Sequence, residues 1–118
     1  AEAELNKQYE LLRQAEDVAR MGSWEYDIAS GAFHWSEGMY RLFGLPLNSP
    51  ISVHTYLAFA VDEDRPVAER IVRGQHDPHR PFEETLRSQV EDQLLTLKIK
   101  AVVLHDSQQR PVRILGVD

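Results

Sequence analysis

The chain has 118 residues, 42% of them hydrophobic and 27% charged, with a formal net charge of −6 and no cysteine. That length suits a single domain with a real core and is too short for two. The missing thiols exclude disulfides, thiolate metal sites and cysteine nucleophiles; the acidic balance argues against a nucleic-acid partner; and no apolar run nears the roughly 20 residues that a membrane span needs.

Residues 1–20 lack Gly and Pro and are rich in Glu, Gln, Leu and Ala, which favours a helix. Leu5, Tyr9, Leu12 and Ala19 share one face of it, and Leu11, Ala15 and Val18 share an adjacent one, so the apolar stripe is wider than a single contact requires. Such a helix either folds back on its own domain or meets a partner. Next, Trp24, Tyr26 and Ile28 alternate with Ser23, Glu25 and Asp27, the period-two pattern of a half-buried strand. Ser30-Gly31 marks a two-residue turn, and Phe33 and Trp35 are in phase on a second short strand. Ser36 stands where an N-cap hydroxyl would accept from the first helical turn. Met39, Tyr40, Leu42 and Phe43 form the apolar stripe of that helix, and Gly44 ends it.

Residues 46–52, with two prolines, read as a loop. A short helix is expected from about Val53 to Ala60, with Ser52 as its cap. Another follows the acidic run Asp62-Glu63-Asp64, which suits the positive end of a helix dipole, with Pro66 tolerated in the first turn. Val67, Ile71 and Val72 give that helix, running to about Gly74, its buried face. Residues 75–81 read as a loop. Phe82, Glu84, Leu86, Ser88 and Val90 then alternate as a strand, Glu91 to Gln93 turn the chain, and Leu95, Leu97, Ile99, Ala101 and Val103 form one face of the next strand. Val112 to Val117 makes the last. The order is helix, two strands, three helices, three strands, and an α+β fold with a five-stranded antiparallel sheet and its helices on one face buries these patterns.

Eight positions carry a family resemblance. With Gly22, Trp24, Tyr26 and Asp27 in the first strand, Trp35 and Ser36 at the end of the second, and Phe43 and Gly44 closing the helix, the chain resembles the PAS sensor family. The subgroup is the one whose first strand reads Gly-x-Trp-x-aromatic-Asp. Glu63, Asp64 and Arg65 match its acid-acid-Arg, although Val61 and Asp62 stand where the family has His-Pro. Arg87 and Asp92 also match, while Gln93 replaces a Gly and Leu97 a Trp; Pro111, Val112 and Gly116 sit as the family has them. The resemblance implies an N-terminal amphipathic helix over residues 1–21 and a PAS domain over 22–118. It also implies that the chain stops near the start of the family's exit motif, as a piece of a larger protein would.

The residues show no catalytic constellation. No serine sits in Gly-x-Ser-x-Gly. His76 and His79 could ligate a metal, but Pro78 between them bars a regular helix from presenting both, and a solvated loop accounts for them. The Asp62, Glu63 and Asp64 cluster lacks the alternating oxygen ligands of a calcium loop. By resemblance, flavin–cysteine adducts and thioester-bound chromophores are ruled out for want of a cysteine. Haem is disfavoured because the helix from Asp64 to Gly74 carries no His. Non-covalent flavin stays open, since Trp24, Tyr26 and Trp35 would suit an isoalloxazine ring as well as a plain core. A ligand pocket would lie between the inner sheet face and the helix from Asp64 to Gly74. Glu84 and Ser88, polar in an apolar phase, are its remaining candidates, with Glu84 either a ligand contact or facing out at a bulge. His34 is expected to face solvent.

The resemblance implies a non-catalytic sensory and dimerisation module of a cytoplasmic bacterial signalling protein, covalently attached to a histidine kinase, as in two-component systems, or to a diguanylate cyclase. Its homodimer would form through the leading helix, by Leu5, Tyr9, Leu12 and Ala19. No nucleic acid or membrane contact is expected of the domain, and no cofactor is required. The alternative is a flavin-binding redox or gas sensor, with haem behind flavin. An enzyme on this scaffold would need Glu84 as its inward-facing acid.

Overall fold

A computed structural model describes residues 2–73 and 80–118, and the side chains of these other than 2–6, 9 and 12. The elements run in the expected order: α1 (Glu2–Ala19), β1 (Ser23–Asp27), β2 (Phe33–Trp35), α2 (Glu37–Leu42), α3 (Val53–Phe59), a 3₁₀ turn (Asp62–Asp64), α4 (Arg65–Val72), β3 (Phe82–Val90), β4 (Gln93–His105) and β5 (Pro111–Val117). The five strands form one antiparallel sheet in the order β2-β1-β5-β4-β3. The chain ends of the domain therefore lie at the sheet's centre, where β1 pairs β5. The expected pair His76 and His79 lies outside the described residues.

Strand periodicity sets the two faces. On the inner face Trp24, Phe33, Trp35, Leu86, Val90, Leu97, Ile99, Ala101, Val103 and Ile114 are buried, joined by Met39, Phe43, Tyr56, Ala68, Ile71 and Val72 from the helices. The first hairpin is shorter than the alternation predicts, because Asp27 closes it: its Oδ1 accepts from the Ala29 N–H at 3.1 Å and the Ser30 N–H at 3.2 Å, which takes Ile28 out of the strand. Gly44, at φ +66°, ends α2 as expected, a left-handed position that costs a residue with a Cβ. Close approach matters at Gly116, where a Cβ would collide with the Trp24 indole lying across it.

Ser36 departs from its expected role. Its side chain makes no cap bond to α2; its Oγ accepts from the Ser23 N–H at 2.9 Å and donates to Glu16 on α1 at 2.9 Å. A strand and a helix from elsewhere in the fold thus claim the hydroxyl that local pattern assigned to a cap. The acid-acid-Arg run also finds a distant partner. Arg87 on β3 grips Asp64 at 2.8 Å and Glu63 at 3.2 Å, while Arg65 pairs locally with Asp62 at 3.5 Å. The hydrogen-bonded Arg87 guanidinium and backbone N–H hold the Asp64 carboxyl down at about 2. Together with the Val61 N–H donating to the Arg87 carbonyl at 3.0 Å, this clamp covers part of the β3 edge.

Candidate functional site

The inner face is built from rings at one side of the sheet. Register places Trp24 opposite Trp35 and Tyr26 opposite Phe33. Phe33 sits edge-on to Trp24, Trp35 and Tyr56 with centroids 5.7, 5.8 and 5.9 Å apart, and Trp35 packs on Phe43 at 5.1 Å. These are favourable quadrupolar geometries, and each ring fills the space beside the next. Tyr26 stays half-buried at the rim, edge-on to Phe33 at 5.6 Å.

Strand order separates the five candidate pocket residues. Trp24, Tyr26 and Trp35 belong to β1 and β2, whereas Glu84 and Ser88 belong to β3 at the opposite edge. From β1 to β3 is three strand spacings, roughly 14 Å. Glu84 is in the inward phase with no bulge beside it, so it does not turn out to solvent that way. Half-buried, it is gripped by Arg70 of α4, with Nη2–Oε2 at 3.0 Å and Nε–Oε1 at 3.3 Å. Ser88 is fully buried beside the bridge to Ala60, and its Oγ and the Trp35 Nε1 are buried polar atoms without a hydrogen-bond partner among the described residues. Such orphans cost free energy unless something binds them.

The described grooves lie elsewhere than between the inner face and α4. One, of about 630 Å³, crosses the outer face of the sheet, its floor formed by Val102, Leu115 and Val117 and its polar rim by Glu25, His34 and Lys100. His34 is exposed there, as expected. The other, of about 370 Å³, runs under α1 between Glu16, Arg20, Arg41, Leu42 and Leu95. Among the described residues no group of His, Cys, Asp or Glu could hold a metal ion, and none of the described helices is long and apolar enough to cross a membrane.

Sequence reasoning missed two polar centres. Asp118, 9% exposed, accepts from the Trp24 Nε1–H at 2.8 Å and the Tyr56 O–H at 3.0 Å. Burial pushes its carboxyl up to about 6 against the pull of those two hydrogen bonds. Burial, with the Asp118 carboxylate beside it, likewise pushes the Tyr56 hydroxyl well above its ordinary value. The signal was present: Ile114, Gly116 and Asp118 are in one phase. The second centre is Glu16, only 7% exposed on α1. It faces the body, with Arg13–Glu37 at 3.4 Å and Arg41–Asp17 at 3.3 Å flanking it. The second apolar face of α1 is turned outward: Leu11 is 58% and Val18 86% exposed, and Ala15 is exposed too; of the first face, Ala19 is exposed. The side chains of Leu5, Tyr9 and Leu12 lie outside the described residues.

Solved structures share this architecture. A sensory box histidine kinase/response regulator from Burkholderia thailandensis superposes with a TM-score of 0.70 at 17% identity over 90% of this chain and 80% of that one. The PAS domain of a Colwellia psychrerythraea protein does so with a TM-score of 0.64 at 16% identity, over 96% and 93%. An RNA-binding light-oxygen-voltage receptor gives 0.69 at 19% identity, over 82% of this chain and 28% of that one. Among curated proteins the chain is similar to the probable diguanylate cyclase DgcE of Escherichia coli K12, 23% identical over 92% of this chain, and it spans about a tenth of that protein's length. No family model matches. The chain has the PAS fold: a five-stranded antiparallel sheet with helices packed on it.

Proposed function

We propose that this PAS-fold domain is a sensory and dimerisation module of a cytoplasmic bacterial signalling protein, relaying a signal to an attached histidine kinase or diguanylate cyclase without catalysing a reaction itself. The observation that carries the reading is the orientation of α1. Leu11, Ala15 and Val18 follow i, i+4, i+7 spacing and face away from the body, while the helix turns Glu16 inward. A second α1 is the surface that such a stripe suits, with Ala19 beside it. Similarity to a diguanylate cyclase and to a histidine kinase structure supports the choice of output. A signal shifts such a module only if it favours one of two arrangements, and α1, whose described contacts to the body are polar, is the element we assign to that change. Light scattering on the Leu11→Glu, Val18→Glu double variant tests the reading: the wild-type mass should be that of a dimer and the variant's that of a monomer. Equal masses overturn it.

The second reading is a flavin sensor without a covalent adduct. The likeness to a light-oxygen-voltage receptor and the unpartnered Ser88 Oγ and Trp35 Nε1 favour it; the ring-filled inner face opposes it. A visible spectrum of freshly purified protein decides, with a flavin band supporting this reading and its absence removing it.

A further inference from the structure

Both ends of the domain body meet at one backbone pair. The Gly22 N–H donates to the Asp118 carbonyl at 3.2 Å, and the Asp118 N–H donates to the Gly22 carbonyl at 2.9 Å. Gly22 follows α1 closely, and the Met21 N–H donates back to the Glu16 carbonyl at 3.0 Å, so only Arg20 and Met21 separate the end of α1 from this pair. Asp118 then turns its side chain into the core, where Trp24 of β1 and Tyr56 of α3 close on it.

We propose that Asp118 is a proton-operated latch: protonated, it keeps the end of α1 and the end of β5 joined, and ionised, it loosens that joint. The chemistry of the two donors supports this. The ionised carboxylate is buried against an indole and a phenol, neither of which carries charge, and no described ion pair involves Asp118. On protonation the Trp24 indole, which can only donate, keeps its bond to the unprotonated oxygen. The Tyr56 hydroxyl can reverse and accept from the new O–H. Both contacts survive while the buried charge disappears, which favours the closed joint.

The other charged groups around the latch are engaged or turned away. Glu25 of β1 faces outward and pairs with Arg113 of β5 at 3.1 Å. Lys100 of β4, opposite Val117, is exposed on the outer face, and His34 of β2 is exposed there too. On α3, His54 is exposed. From α1, Glu16 is bonded to Ser36; at the start of α2, Glu37 is held by Arg13. The latch depends on none of them, and it stands whether or not the domain relays a signal.

The test is amide hydrogen exchange of the full chain by nuclear magnetic resonance, from pH 5 to 7.5, corrected for intrinsic exchange. With the carboxyl at about 6 when closed and 3.8 when open, protection of the Gly22 and Asp118 amides should be about tenfold greater at pH 5 than at pH 7.5. The Trp24 indole N–H should titrate with the same midpoint. Asp118→Asn should abolish the dependence. Tyr56→Phe, which removes a donor to the ionised form, should move the midpoint upward, and it serves as the discriminating variant if the Asn protein does not fold. Flat protection in the wild type overturns the latch. So does an indole that titrates while Gly22 protection stays constant, an Asn variant that keeps the wild-type profile, or a Phe variant whose midpoint does not rise.

Discussion

The helices α4 and α1 make opposite use of amphipathic sequences. In α4, Ala68, Ile71 and Val72 are buried on the sheet while Arg65 and Arg70 reach to Asp62 and Glu84. Among the described side chains of α1 the buried one is Glu16, and Leu11 and Val18 face solvent. Apolar burial gives α4 a single seat, because every ångström of rotation would expose methyl groups. The described side-chain contacts that tie α1 to the body are hydrogen bonds and ion pairs, and each of these has less at stake, since it exchanges a bond with water for a bond with protein. On the function proposed above, α4 is the fixed element and α1 the one that meets another chain.

The largest effect expected from breaking this contrast is at Ile71. Ile71→Ala should lower unfolding free energy by about 3 kcal/mol, the usual cost of a cavity at a fully buried aliphatic site, read from the denaturant midpoint. A loss below roughly 1 kcal/mol would mean that α4 is not seated as described. Next comes the pH dependence of the joint beside α1. Because the Asp118 carboxyl is raised on folding from 3.8 to about 6, its stabilising contribution is fully present below 3.8 and lost as pH rises through 6. Comparison of wild type with Asp118→Asn should show this as up to about 3 kcal/mol between pH 3.5 and 8, two pKa units at about 1.4 kcal/mol each.

Glu16→Ala should cost about 1 kcal/mol, the worth of a hydrogen bond to a charged group less solvent compensation. The loss should be confined to α1: amide exchange should quicken there and not in β3 or β4, and uniform quickening would show α1 to be integral to the core. Smallest in stability is the double change Leu11→Glu and Val18→Glu. At exposed positions it should move the monomer by less than about 0.5 kcal/mol, although it should halve the mass in solution.

The strands were the most legible feature. Trp24 with Phe33 and Trp35, and Leu97 through Val103, obey a period of two, and the inward phase they predict is the buried one. Gly44 was legible because a left-handed backbone selects glycine, and the turn at Glu91 because three polar residues interrupt two alternating runs, although Glu91 itself takes φ +53° in spite of its Cβ. The candidate site was less so. Glu84 was recognised as a polar residue in an apolar phase, but its partner Arg70 lies on another element, and no local pattern names it. Ser36 had a plausible local role and lost it to Glu16 and Ser23, 20 and 13 residues away. A stripe on α1 could be read from spacing, yet which side of it touched the body could not. The sequence supplies two faces, and packing chooses between them.

The sequence by itself determined the element order, the fold class and the phase of each strand, because side-chain direction repeats every two residues in a strand and every 3.6 in a helix. Only the tertiary structure decided which elements became neighbours. It placed β5 between β1 and β4, and so carried Asp118 to an indole 94 residues away and a phenol 62 residues away. It also left the aromatic candidates on β1 and β2 and Glu84 on β3 at the far edge of the sheet. Strand order and helix seating follow from summed burial over the whole chain, and a hydrogen bond between distant residues depends on both.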